Sequence, residues 1–461
     1  MEHVTPKEVP MLSLVWFKRD LRVADHPALA MAAAQGPVLP LYIIEPEYWA
    51  QPEAAARHYG FVTECLADLQ RDLAALGQPL LLRDGDAVTV LERLRAKHRF
   101  TQIISHKDSG SAWSRARGQR VAAWAREAGL RWLELDPDEA PQAEVTALPR
   151  VAEGTGALPS ARSLKLPEDR CDFRQKGGRE AGVAALQGFI EARAPLYPKA
   201  QDTPVLAERG SSRLSAYLAY GALSQREVAQ AAAEAKAARR GQVEWVRGLR
   251  RFERQVAQRR AGASPEGSQD AGCEGPEYGP DVDRAVRFAA WSAGETGLPF
   301  VDASMRYLRA TGWLNARMRG LLWSVARFHL GLDARAALHL ARSFTDYDPA
   351  LFWPPIQQIE GAGRPMILDP VKQGILQDPS GAFIRRWLPE LAALPDAALH
   401  RPWASAQARR HLAGRYPEPV VDPVSAAKQA RAVLARQAKP RPISVTPRRA
   451  PVMTGQMSLD L

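Results

Sequence analysis

At 461 residues the chain exceeds the size at which one hydrophobic core keeps growing, so two compact domains are expected. Apolar residues make up 46% and charged residues 25%, which excludes a disordered or fibrous chain, and no apolar run approaches the roughly 20 residues that span a bilayer. The formal charge of +11 favours a polyanionic partner, because Lys and Arg near phosphates gain by releasing condensed counterions; an arginine-rich composition with a solvated basic surface is the plainer alternative.

The opening Met1-Glu2-His3-Val4-Thr5-Pro6-Lys7 lacks the apolar core of a signal peptide, which points to a cytoplasmic address. Three widely spread cysteines, Cys65, Cys171 and Cys273, suggest neither a disulfide framework nor paired zinc knuckles, and no metal site is expected.

In chain order, apolar runs at Leu12–Phe17, Val38–Ile44, Pro79–Leu82, Gln102–Ser105 and Leu130–Leu135 predict strands. Amphipathic stretches such as Ala54–Leu76 and Ala87–Lys97 lie between them and predict helices. This alternation predicts an α/β domain over 12–135 with a doubly wound parallel sheet, whose ligands sit beyond the carboxyl ends of the strands. No Gly-x-Gly-x-x-Gly follows the first strand, which disfavours a dinucleotide on a glycine-rich turn. After that strand comes a charged loop, Lys18-Arg19-Asp20-Leu21-Arg22, where Asp20 is expected to pair with a neighbouring arginine.

Residues 136–180 are rich in Pro, Gly and charge and read as an interdomain linker. Beyond them a helical domain is predicted over 181–435, with helices at Arg179–Ala192, Leu214–Ala219, Gln225–Ala238, Val243–Arg260, Val301–Thr311, Ala316–Leu330 and Ala334–Phe344. The basic, proline-containing stretch 436–461 reads as a disordered tail.

Two patterns in the helical part suggest chemistry. Gly210-Ser211-Ser212-Arg213-Leu214-Ser215 sets hydroxyls and amides at a helix start, which suits a pyrophosphate or, more simply, a helix cap. Asp346 and Asp348 flank Tyr347 before Pro349, so they project from a turn, either as a capping pair or as carboxylates around a cofactor.

Several longer motifs carry a family resemblance. Val15-Trp16-Phe17-Lys18-Arg19-Asp20-Leu21-Arg22 opens the chain, and Trp291-x-x-Gly294-x-Thr296-Gly297-x-Pro299-Phe300-Val301-Asp302-Ala303 recurs with Thr311-Gly312-Trp313-Leu314-Asn315-x-Arg317-x-Arg319. Asp346-Tyr347-Asp348-Pro349, Ile384-Arg385-Arg386-Trp387-Leu388-Pro389, Pro402-Trp403 and Tyr416-Pro417-x-Pro419 follow. Over roughly residues 12–435 this resembles the photolyase/cryptochrome family.

The resemblance implies an α/β antenna domain joined to an all-α carboxyl-terminal FAD-binding domain. It implies FAD held by Tyr197, Ser211, Ser212, Arg213, Leu214, Ser215, Phe252, Trp313, Arg319, Asp346, Asp348 and Phe352, with Arg319 paired to Asp346. A second antenna chromophore is possible in the amino-terminal sheet. Trp291 and Trp353 fall to electron transfer, and Arg259 and Arg317 to DNA contact.

Departures from the family pattern are equally specific. Where the family aligns a lesion-binding acid and two aromatic walls, this chain has Gln255, Gln258 and Gln358. The ring-proximal relay tryptophan becomes Ile356, and Phe352 stands where an amide or acid commonly faces flavin N5. The function expected is a blue-light-driven DNA photolyase acting as a monomer, with no membrane partner. The alternatives are a cryptochrome-like photoreceptor and a non-photochemical flavoprotein.

Overall fold

The computed structural model describes residues 11–108, 110–138, 144–152, 156–200, 202–262, 281–361 and 365–437. The segment before residue 11, Cys273 and the predicted tail beyond Gln437 lie outside the described residues, as does the side chain of Arg260.

Five strands form one parallel sheet: β1 (Ser13–Phe17), β2 (Val38–Ile44), β3 (Leu81–Asp84), β4 (Gln102–His106) and β5 (Arg131–Leu135), in the order β3-β2-β1-β4-β5. Helices Pro27–Gln35, Ala56–Ala75, Ala87–His98 and Ala112–Glu127 connect them. Parallel strands need long crossovers, and those helices cover both faces of the sheet, so β1, β2 and β4 are buried along their whole length. One core cluster gathers Leu14, Trp16, Leu41, Leu81, Leu91 and Ile103. Each such side chain contributes roughly 1.5–3 kcal/mol by leaving water.

Four of the five strands fall within a residue of their predicted ends, and β3 is displaced by two. Pro79 has no amide to give a ladder, so β3 begins at Leu81, which pairs with Leu41.

By contacts the chain divides into two compact units. The first comprises residues 1–195, 211–270 and 341–353, and the second 196–210, 271–340 and 354–461. In the first, the sheet is joined by helices Gln225–Ala238 and Val243–Gly262. The second is helical, with Pro299–Thr311, Ala316–Ser324, Pro370–Gln377 and Pro423–Gln437 among its elements. The stretch predicted as one helix over Ala316–Leu330 is α-helical to Ser324 and closes with a π turn, Val325–His329.

The charged loop after β1 corrects one expectation: Asp20 pairs with histidines, not arginine. Its Oδ2 lies 3.0 Å from His26 Nε2 and 2.7 Å from His106 Nδ1, while Oδ1 accepts the Lys18 amide at 2.6 Å. His26 Nδ1 accepts the Leu29 amide at 3.0 Å and His106 Nε2 accepts the Ala28 amide at 3.4 Å. Each ring therefore accepts on one nitrogen and donates to Asp20 on the other, which makes both neutral donors. Burial pushes the Asp20 carboxyl up, but the hydrogen bonds from His106 and His26 outweigh it and hold it well below the carboxylate range. Burial lowers His26 to about 4, in keeping with a neutral ring.

The arginines are drawn to carbonyls instead. Arg22 donates to Asp25 O at 3.0 Å and Gly221 O at 3.1 Å, and Arg19 to Ala219 O at 2.9 Å and Tyr347 O at 2.6 Å. Gly221 has φ +65°, and a Cβ there would lie 2.2 Å from Arg19 O, so only glycine permits this close approach.

Candidate functional site

In the first unit, the serine-bearing stretch precedes the short helix Ser215–Ala219. Arg193 donates to Ser211 O at 3.1 Å and Ser212 O at 3.5 Å, and Gln175 Nε2 to Arg213 O at 2.9 Å. Arg213 takes φ +60°, a left-handed conformation that costs an arginine on the order of 1–2 kcal/mol. Leu214 is buried and its carbonyl accepts the Leu218 amide at 3.0 Å. The buried Ser215 Oγ has no hydrogen-bond partner among the described residues. A buried hydroxyl left that way costs about 1–3 kcal/mol, so the stretch is chemically suited to an acceptor such as a phosphate oxygen.

Phe252 lies on the inner face of helix Val243–Gly262 with Leu249 and Val256, and its ring meets Phe189 at 4.6 Å. Asp346 is buried in the turn before Pro349. Asp348 takes the capping role offered by the sequence and adds an ion pair. Its Oδ1 accepts the Ala350 amide at 3.2 Å, capping helix Pro349–Glu360, and its Oδ2 accepts from Arg259 Nη2 at 3.3 Å. Arg259, expected to touch DNA, is thus engaged by a carboxylate. Phe352 packs edge to face on Tyr347 at 5.2 Å and on Trp353 at 5.1 Å, while His58 stacks on Tyr347 at 5.9 Å. Burial drives the His58 imidazole down to about 4.

The second unit holds Tyr197, Trp313 and Arg319. Tyr197 and Trp313 are buried, and Arg319 Nε donates to Leu314 O at 2.9 Å behind Asn315, whose Oδ1 caps helix Ala316–Ser324. Arg317 reaches Asp202 at 3.9 Å across an exposed surface. Trp291 is fully buried, with His339 at 5.6 Å and Phe288 at 6.3 Å as its ring neighbours. Gln358 is exposed in this unit; in the first, Gln255 is half-buried and Gln258 exposed.

A residue set that the sequence did not single out lies at the carboxyl ends of β1, β2 and β4, where the strand order reverses and doubly wound sheets bind ligands. There a crevice of about 50 Å³ is lined by Lys18, Tyr42, Glu45, Tyr48, Asp108 and Arg117, among others. Arg117 donates to Glu45 at 2.7 Å and Asp108 at 2.6 Å and lies over Trp16 at 4.9 Å. Burial raises Glu45 despite Arg117, whereas in Asp108 Arg117, Lys18 and Arg19 overcome burial and lower the carboxyl. At this volume a ring system enters only if Tyr48 or Arg117 swings aside.

The motif around Thr296 has a structural explanation within the second unit. Buried Asp302 accepts from the Thr296 amide at 2.8 Å, Thr296 Oγ1 at 2.6 Å, the Gly297 amide at 3.0 Å and Tyr416 Oη at 2.5 Å. Among the described residues, Asp20, His26 and His106 form the one group whose side chains could converge on a metal ion, and their ring nitrogens are already committed as described above.

Residues 13–138 match the DNA photolyase family profile, and residues 243–436 match the FAD binding domain of DNA photolyase. A cryptochrome DASH from Natronomonas pharaonis is 31% identical over 89% of this chain and 98% of its own length. The chain belongs to the photolyase/cryptochrome family. A deoxyribodipyrimidine photo-lyase from Vibrio cholerae is 30% identical over 89% of this chain and 96% of its own. The archaeal photolyase of Sulfolobus tokodaii, solved with two FAD molecules and interpreted as implying a novel light-harvesting cofactor, shares the fold with TM-score 0.70 at 23% identity, over 92% of this chain and all of that one. This family member thus has a FAD-binding domain in its helical region and a parallel five-stranded sheet in its amino-terminal region. No helix among the described residues is long and apolar enough to cross a membrane.

Proposed function

We propose that this photolyase/cryptochrome family member is a FAD-dependent DNA photolyase that uses blue light to split pyrimidine lesions. The observation that carries the reading is the match to the FAD binding domain of DNA photolyase across residues 243–436, together with full-length similarity to a deoxyribodipyrimidine photo-lyase. Bound FAD supplies light absorption and a transferable electron.

In this reading the side chains divide the remaining work. Ser211, Ser212, Arg213, Leu214 and Ser215 hold the pyrophosphate, the orphaned Ser215 hydroxyl finding its partner there. Tyr197, Phe252, Trp313, Arg319, Asp346, Asp348 and Phe352 are the further side chains assigned to the cofactor. Asp348 is held in place by Arg259, so Arg259 acts first as a positioning residue and meets a DNA phosphate only by exchanging partners. Gln255, Gln258 and Gln358 offer amide donors and acceptors to base edges, which recognises a lesion without stacking it. Arg317 is half-buried, lies 3.9 Å from Asp202, and suits a phosphate contact. Trp291 and Trp353 are the buried aromatic rings assigned to electron supply. The domain limits 12–135 and 181–435, action as a monomer and a cytoplasmic location complete the proposal. A second chromophore is plausible on the precedent of the Sulfolobus protein, and the crevice beneath Tyr48 is its natural place.

The second reading, a photoreceptor without repair, is favoured by two observations. Gln258 and Gln358, which the sequence aligns with the family's stacking rings, offer amides instead, and a cryptochrome DASH is equally similar. A third reading, a non-photochemical flavoprotein, is allowed by Phe352.

Reduced protein mixed with ultraviolet-damaged oligonucleotide should remove dimers under blue light and not in darkness. Dimers that persist while the flavin spectrum changes on illumination would select the photoreceptor. A flavin spectrum unmoved by light would select the non-photochemical flavoprotein.

A further inference from the structure

We infer that the outer face of helix Val243–Gly262 is a docking surface for the sugar-phosphate backbone of nucleic acid, working without a lesion and without light. The sequence shows only an arginine-dense helix; the structure sorts those arginines by direction. Leu249, Phe252 and Val256 are buried and fix the inward face. Arg247, Arg250 and Arg254 follow the i, i+3, i+7 rule on the opposite side, where they are exposed and line one shared hollow with Val246 and Ala257.

These three guanidiniums make no ion pair or hydrogen bond among the described residues. Of the two carboxylates on this helix, Glu253 is held by Lys236 at 2.6 Å, and the exposed Glu244, three residues before Arg247, offsets at most one of the three charges and makes no ion pair among the described residues. Arg239 lies over Trp245 at 4.4 Å and adds positive charge at the start of the same helix. Arg259, by contrast, is engaged by Asp348. Among the described side chains, the unpaired arginine charge of this helix therefore lies on the outer stripe.

Arg247 to Arg254 spans about 10.5 Å along the helix axis, roughly three phosphate steps of one strand. Guanidinium forks bind phosphate oxygens in pairs, and the formal charge of +11 adds long-range attraction. A membrane-surface helix would instead need its apolar face outward, whereas here that face is buried. The inference rests on DNA as the partner class, but not on repair.

The test is fluorescence anisotropy of a short, undamaged, labelled duplex in the dark, between about 50 and 200 mM salt. The triple variant Arg247→Ala, Arg250→Ala, Arg254→Ala should bind about tenfold or more weakly, and its log–log salt slope should be shallower by roughly 2.7. A control of equal charge loss, Arg93→Ala, Lys97→Ala, Arg126→Ala, should bind like the parent. The triple lysine variant should keep the salt slope. An alanine variant with normal flavin content that binds like the parent overturns the inference, as does a control that weakens equally. Should the alanine triple fail to fold, each single variant must still lower the slope by about 0.9, and unchanged slopes would count against it. Because the duplex carries no lesion, a failed repair assay leaves this result standing, and the converse also holds.

Discussion

Asp302→Ala should be the most destabilising single substitution in the helical unit, costing about 3–5 kcal/mol and lowering the melting temperature accordingly. The fully buried carboxylate accepts two amides, a threonine hydroxyl and a tyrosine phenol, and ties the first turn of helix Pro299–Thr311 to the segment carrying Tyr416. Removal leaves all four donors without this acceptor, each at about 1–3 kcal/mol, less whatever water enters the cavity. Asp302→Asn should be milder, since the amide keeps the shape but turns a donor toward Gly297 or Tyr416. Tyr416→Phe, which deletes one charge-assisted bond, should cost about 1.5–3 kcal/mol.

Burial raises Asp302 to about 6, against the donors from Thr296, Tyr416 and Gly297 that favour its charge. The folded carboxyl then binds a proton more readily than the unfolded one. The parent protein should therefore gain stability over Asp302→Asn as pH falls from about 6 toward 4, by up to ~3 kcal/mol. Thermal melts across that window check the sign, and parallel curves for the two proteins would show that the carboxylate is not the hub described.

The second large effect concerns lesion recognition. Replacing Gln258 and Gln358 by tryptophan should raise affinity for a dimer-containing strand roughly tenfold to a hundredfold per ring, because a stacked base is worth about 1–3 kcal/mol. Both positions are exposed, so the substitutions should leave folding nearly unchanged. Comparing damaged with undamaged strands separates stacking on the lesion from general stickiness. Equal gains on both strands, or none on either, would show that these glutamines do not stand at the lesion.

What the sequence revealed was local. Strand β2 and helix Gln225–Ala238 have their predicted ends, the latter because Ser224 and Glu227 form a capping box written within four residues: Glu227 N donates to Ser224 Oγ at 2.9 Å and Ser224 N to Glu227 Oε1 at 2.7 Å. Helix Pro349–Glu360 was not legible, since Pro354 and Pro355 lie inside it and prolines ordinarily end helices. The distant partners of Asp20 and Asp348 escaped for another reason. His106 and Arg259 are 86 and 89 residues away, and nothing local in either stretch marks the pairing. Asp302 was visible as part of a motif, but its role as an acceptor for Tyr416, 114 residues on, appears only when the chain is folded. Helix Val243–Arg260 was legible as a helix, whereas the separation of its arginines into an outer stripe and an engaged Arg259 required the buried face to be known.

The most direct measurement is the flavin stoichiometry of the purified protein, read from its visible spectrum and from the nucleotide released on denaturation. The account predicts a yellow protein holding at least one FAD per chain, with Ser215→Ala lowering retention while the fold persists. A colourless, folded protein that takes up no added FAD would contradict it.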